Sequence, residues 1–166
     1  MIHEGRVIQL KLDEIRLPNG KTGKREVVLH NGGVVIIPQK PDGKLVLVEQ
    51  YRYAIEQRLL EFPAGRLNLQ EDPLKAALRE LTEETGFKAG NIKKLGHIFT
   101  APGFCSECLH IYLATDLQEG SPQPDEDEFV EMVILSPDQL KQKIYKAEIT
   151  DAKTLAAWSL FQTQCI

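Results

Sequence analysis

The sequence predicts an α+β fold with an N-terminal antiparallel β extension. Strand signals crowd the first third of the chain and return after a single well-bracketed helix, and two further helical segments close it. At 166 residues the chain suits one domain of ordinary size, long enough to bury a core without disulfides or metals.

The elements follow in order. Residues 7–12 alternate in polarity, and Leu17-Pro18-Asn19-Gly20-Lys21 carries an Asn-Gly turn signal, so residues 7–16 and 25–29 read as the arms of a hairpin. Residues 34–37 are a β-branched run of the buried-strand type. Pro41-Asp42-Gly43-Lys44 is a second turn, leading into a strand over 45–50. Asp72 as N-cap, Pro73 at the first helical position and Gly86 just past the last turn bracket a helix over 73–85, with Leu74, Ala77, Leu78 and Leu81 as its apolar face. Strand signals resume at 94–99, 110–115 and 129–135, separated by a turn-rich segment (100–107) and an acidic one (118–128). Residues 137–146, opened by Ser136, and 151–162 read as closing helices. Residues 1–30 are taken as the β extension and 31–166 as the main domain.

Composition narrows the function. Hydrophobic residues at 42% and charged residues at 27% are typical of a soluble globular protein, and the apolar runs are too short to span a bilayer. The start, MIHEGRVIQLKLDEI, lacks the apolar stretch and cleavage site of a secretory signal, so the cytoplasm is the expected compartment. Cys105, Cys108 and Cys165 are an odd set and are expected to be reduced thiols. Cys105 and Cys108 also fit C-x-x-C, a redox pair or half a zinc site, but no second pair follows, the four histidines show no ligand spacing and the motif does not open a helix after a strand, which argues against both. A net charge of -4, with scattered Lys and Arg, argues against a nucleic-acid partner, and a bound polyphosphate would need a metal to offset the acidity.

The segment Arg79-Glu80-Leu81-Thr82-Glu83-Glu84 raises a question, because like charges three and four residues apart repel on a helix. A helical charge run is most often a solvated face, and Arg79 looks badly angled to pair with all three glutamates. The wider pattern points elsewhere. Gly65, Glu71, Arg79, Glu80, Glu83, Glu84 and Gly86, with apolar Leu81 and Phe87, form G-x5-E-x7-R-E-U-x-E-E-x-G-U. Seven fixed residues at a background near 7% each coincide by chance on the order of 10^-8 per window. This resembles the Nudix hydrolase box at every defined position. Clustered carboxylates suit hard divalent cations, Mg²⁺ above all and Mn²⁺ as the second choice.

The resemblance implies a mixed β-sheet sandwiched between helices and hydrolysis of a substrate linked through a diphosphate. It implies Glu80 and Glu84 as principal metal ligands, the backbone carbonyl of Ala64 as a further one, Glu83 at or behind the metal, and Arg79 orienting carboxylates. The flanks resemble the ADP-ribose pyrophosphatase branch: Glu49-Gln50-Tyr51-Arg52, Glu61-Phe62-Pro63-Ala64-Gly65, Pro102-Gly103, Asp125-Glu126-Asp127-Glu128 and residues 148–154. By that likeness Arg52 contacts phosphate or the terminal ribose, residues 101–107, including Ala101, Pro102 and Gly103, form a ribose and diphosphate loop, and Glu107 meets the terminal sugar. Glu126 matches the general base and Glu128 a carboxylate that closes on metal, although a two-residue shift in alignment exchanges them. A base outside the helix suits the chemistry, since a metal-bound carboxylate is a poor proton acceptor.

In this branch the N-terminal sheet exchanges between subunits, which implies a homodimer and places Arg25 and Glu26 in the partner's nucleotide pocket. The reading is ADP-ribose hydrolysis to AMP and ribose 5-phosphate. Its rivals are hydrolysis of another nucleoside diphosphate sugar, such as GDP-mannose or ADP-glucose, and a non-catalytic nucleotide sensor, against which the intact box argues.

Overall fold

The structure is a computed structural model, described here for residues 1–122 and 129–165. At the N-terminus, β1 (His3–Glu4), β2 (Gln9–Arg16) and β3 (Thr22–Leu29) form an antiparallel sheet in the order β1-β2-β3. The Asn-Gly turn joins β2 to β3 as expected: Gly20 has φ +82°, and its N–H donates to the Leu17 carbonyl at 2.9 Å.

Seven more strands build two sheets. β4 (Gly33–Pro38), β7 (Ala64–Arg66), β8 (Lys88–Phe99) and β9 (Cys108–Gln118) lie in the order β7-β4-β9-β8, while β5 (Leu45–Arg52), β6 (Gln57–Glu61) and β10 (Val130–Leu135) lie in the order β10-β5-β6. β4 and β9 run parallel and the other pairs are antiparallel, so the sheet is mixed. β4 is apolar throughout because both of its faces are covered. Val34 and Ile36 pack with Ala76, Ala77 and Leu81 of α1 (Pro73–Thr85), whereas Val35 and Ile37 pack with Leu140 of α2 (Pro137–Tyr145) and Ala157, Trp158 and Phe161 of α3 (Ala152–Cys165). Helices on both faces make the predicted sandwich.

The bracket on α1 holds to the residue. Asp72 Oδ1 accepts the N–H groups of Leu74 (3.0 Å) and Lys75 (3.1 Å), and Gly86 closes the helix at φ +74°. Its buried face differs from the leucine pattern. Leu74 and Leu78 are 40% and 38% exposed, and the buried positions are Ala76, Ala77, Glu80, Leu81, Glu84 and Thr85. The burial stripe is turned toward the glutamates, because Ala76 and Ala77 let α1 sit close on β4 and bring Glu80 and Glu84 under cover. β6 and β7 carry no clear strand signal: Pro63 separates them, and charged Arg58, Glu61 and Arg66 break their alternation. β8 starts six residues before the strand expected at 94, with a register shift between Lys94 and Gly96.

Candidate active site

The backbone brings α1, the Ala64–Arg66 strand and the end of β5 around one cleft of about 450 Å³. Arg79 is its organising cation. Its Nε and Nη2 each donate to Glu71 at 3.0 Å, its Nη1 donates to Glu80 (2.7 Å) and Glu83 (2.8 Å), and Nη2 also reaches the Arg66 carbonyl at 3.2 Å. The expectation concerned all three glutamates together; two of them, Glu80 and Glu83, are reached by the long planar fork as it swings along the helix. The Glu71 hydrogen bonds, with Glu80 and Glu83 beside them, push the guanidinium further into its charged form. In return Arg79, helped by the Asn68 N–H, holds the Glu71 carboxyl below the usual range.

Glu80 and Glu84 are each 6% exposed, on the helix face turned toward β7. Glu84 Oε2 accepts the Ala64 N–H at 3.2 Å, and the Glu80 carboxylate lies so close over Gly65 that a Cβ there would stand 1.8 Å from Glu80 Cδ. Buried acids crowded against strand backbone form an oxygen-only donor set, the chemistry of a hard divalent cation. Among the described residues no three His, Cys, Asp or Glu side chains meet as a ready metal cluster. Glu80 and Glu83 each bond Arg79, and a carboxylate oxygen that accepts a hydrogen bond keeps lone pairs with which to ligate a cation. Glu80, Glu84, Glu83 and the Ala64 carbonyl thus fit a divalent metal.

A second cavity, about 340 Å³, adjoins the first and shares Arg52, Ala64, Gly65 and Arg66 with it. Arg52 stands at the junction, lining both cavities. Its guanidinium grips Glu61 with Nε–Oε1 2.9 Å and Nη2–Oε2 2.5 Å, and this pairing raises the Arg52 pKa. Glu61 is wholly buried and also accepts from Lys153 Nζ, which binds Asp151 Oδ1 at 2.9 Å. Asp151 Oδ2 in turn accepts the Thr154 N–H (2.9 Å), and Thr154 Oγ1 accepts the Phe62 N–H (2.9 Å). Two strands and the start of α3 are pinned together beneath the cleft. Glu61, Asp151 and Lys153 received no role from the sequence, where a lone carboxylate beside Phe62 and Pro63 was the available signal of a buried, paired acid.

Glu107 lines the second cavity with Thr100, Asp151 and Lys153. Ala101, Pro102 and Gly103 form the turn behind it, the Ala101 carbonyl accepting the N–H groups of Phe104 (3.1 Å) and Cys105 (2.8 Å). The loop is tied to β3 by Val28 N–H to Phe104 O (2.7 Å) and Ser106 N–H to Val28 O (2.9 Å). Cys105 and Cys108 are free thiols. Arg25 and Glu26 lie exposed on β3, outside the lining of either cavity. Glu126 and Glu128 lie outside the described residues.

A model of the NUDIX domain matches residues 29–158. The chain is 44% identical over 165 residues to the methanol dehydrogenase activator of Bacillus methanolicus, covering 98% of this chain and 89% of that protein. It is 40% identical over 163 residues to the ADP-ribose pyrophosphatase of Bacillus subtilis (strain 168), covering 97% and 88%. Among solved structures, that of an ADP compounds hydrolase superposes with a TM-score of 0.87 at 26% identity, covering 98% of this chain and 88% of the other. With its carboxylate helix, its mixed sheet and a domain match over most of its length, this chain belongs to the Nudix family.

Proposed function

We propose that the protein is a Mg²⁺-dependent pyrophosphatase that hydrolyses ADP-ribose to AMP and ribose 5-phosphate, with Mn²⁺ as an alternative ion. The observation that carries the reading is the Arg79-ordered set Glu80, Glu83 and Glu84 against Ala64–Gly65, next to a second cavity furnished with Glu107, Asp151 and Lys153. Near-full-length likeness to an ADP-ribose pyrophosphatase and to an ADP compounds hydrolase supports the substrate.

The residues divide the work. Arg52 steadies a phosphoryl group where the two cavities meet, and Glu107 with the 101–103 turn receives the terminal sugar. Glu80, Glu84, Glu83 and the Ala64 carbonyl hold the divalent ion, which when bound neutralises charge on the diphosphate and acidifies water. Glu126 takes a proton from the attacking water; the new P–O bond forms as the bridging P–O bond breaks, and the leaving phosphate departs as a monoester. Glu128 closes on the metal side. Residues 1–30 exchange between the subunits of a cytoplasmic homodimer and bring Arg25 and Glu26 to the partner's cleft.

ADP-ribose, ADP-glucose, GDP-mannose and 8-oxo-dGTP, assayed in parallel for phosphate released after phosphatase treatment, test the substrate: preference for ADP-glucose, GDP-mannose or 8-oxo-dGTP overturns it. Light scattering tests the assembly, and a monomeric mass overturns the exchange. The 44% identity to a methanol dehydrogenase activator favours a second reading, in which hydrolysis at this site modulates a dehydrogenase. Stimulation of methanol oxidation by the wild type but not by Glu84→Gln would support it.

A further inference from the structure

Two buried side-chain polar atoms lack a hydrogen-bond partner among the described residues, Gln50 Nε2 and His110 Nδ1. Their settings differ. His110 lies on β9 against His97, at 6.2 Å between ring centres, and lines neither cavity. Gln50 lines the metal-side cleft.

A buried amide N–H without an acceptor is costly, and native proteins keep few such groups. Gln50 is also held rigidly. β5 is the middle strand of its sheet, and Gln50 is flanked by Leu59 of β6 and Val130 of β10. Two residues on, Arg52 projects from the same strand face, about 7 Å away at strand rise, and lines the same cleft. A fixed donor beside a fixed cation, across from acidic groups suited to a divalent metal, is complementary to an oxygen-rich anion. The carboxylates of the cleft cannot serve as that acceptor once they are committed to metal.

We propose that Gln50 is a substrate-binding residue whose side-chain N–H donates to a non-bridging oxygen of the diphosphate, one phosphoryl group along from Arg52. The inference rests on the pyrophosphatase reading, and it assigns the ligand-free protein an unsatisfied donor that substrate satisfies. Stability and function then respond in opposite directions to its removal. A residue kept for packing would lose both together.

The test compares wild type with Gln50→Leu, close in size but without the donor, and Gln50→Glu, which turns a negative charge toward the phosphate. Melting temperature without ligand, steady-state kinetics on ADP-ribose, half-saturating Mg²⁺ and calorimetric binding of inorganic pyrophosphate with Mg²⁺ are measured. The expected result for Gln50→Leu is a melting temperature equal to or about 2 °C above wild type, with KM for ADP-ribose and Kd for pyrophosphate raised about tenfold and half-saturating Mg²⁺ unchanged. Gln50→Glu should weaken both further. A fall in melting temperature in Gln50→Leu, unchanged pyrophosphate affinity, or a change confined to the Mg²⁺ requirement overturns the proposal. If the wild type leaves ADP-ribose intact, the substrate reading fails by itself, and Gln50 is judged on pyrophosphate binding and melting temperature.

Discussion

The buried carboxylate of Glu61 grips the Arg52 guanidinium through both of its oxygens, at 2.9 and 2.5 Å, at the wall between the two cavities. Bidentate pairing fixes the plane of the guanidinium as well as its position. Glu61→Gln removes the charge that Arg52 and Lys153 share and leaves two cations close together. Breaking a buried pair typically costs on the order of 3 kcal/mol. The expected outcome is a lower melting temperature with KM for ADP-ribose raised about tenfold, and a KM equal to wild type would remove Arg52 positioning from the role of Glu61.

Gly65 separates activity from stability. A Cβ there collides with the end of the Glu80 side chain, 1.8 Å from Cδ, and a flexible carboxylate is easily displaced. Gly65→Ala should melt within about 2 °C of wild type yet lose at least about tenfold in kcat, with a raised Mg²⁺ requirement, if the displaced group serves as the proposed metal ligand. Retained kcat at wild-type Mg²⁺ would show that Glu80 is not needed at the metal.

Glu84→Gln and Glu126→Gln should fail in distinguishable ways. The first keeps helix propensity and removes the charge of a proposed ligand, so kcat should fall at least about a hundredfold with the fold retained, and excess divalent ion should restore part of it. The second removes the proposed base, worth about 10² to 10⁴ in rate, and should be rescued by raised pH. If Glu128→Gln is inactive and insensitive to metal while Glu126→Gln is near wild type, base and ligand are exchanged.

The Arg79–Glu71 pair makes a prediction in pH. Arg79 lowers the Glu71 pKa from its ordinary value near 4.5. A depressed folded-state value means that the stabilisation is complete above about pH 4.5 and is lost as pH falls through the lower, folded value. Glu71→Gln should therefore narrow the stability gap between neutral and acid solution. Parallel pH–stability curves for mutant and wild type would contradict it.

Much of this arrangement is legible in the sequence where local chemistry decides it. Asp72, Pro73 and Gly86 mark the ends of α1, and Asn19-Gly20 marks the first hairpin, because caps and turns are satisfied by residues close in sequence. The buried side of α1 is not local: Leu74 is the stronger hydrophobe, yet Ala76 faces the core because helix and sheet approach closely there. The same holds for Glu61, whose partner Lys153 lies 92 residues away. The motif names the glutamates, but their geometry comes from Arg79, whose reach along the helix a residue-angle argument underestimates.

The parallel pairing of β4 with β9, and the antiparallel pairing of β5 with β10 through Val130 and Gln50, set the order of folding during biosynthesis. Helix α1 leaves the ribosome before either closing strand, so its acidic face is synthesised without a wall to lie against. β10 ends at Leu135, so the three-stranded sheet can be completed only after that residue has emerged, and the Glu61–Lys153 pair closes later still. Such distant strand pairing folds on the slow side of the millisecond-to-second range. Nascent chains arrested before β10 should therefore be inactive and sensitive to protease, while release of the full chain should bring protection and activity together.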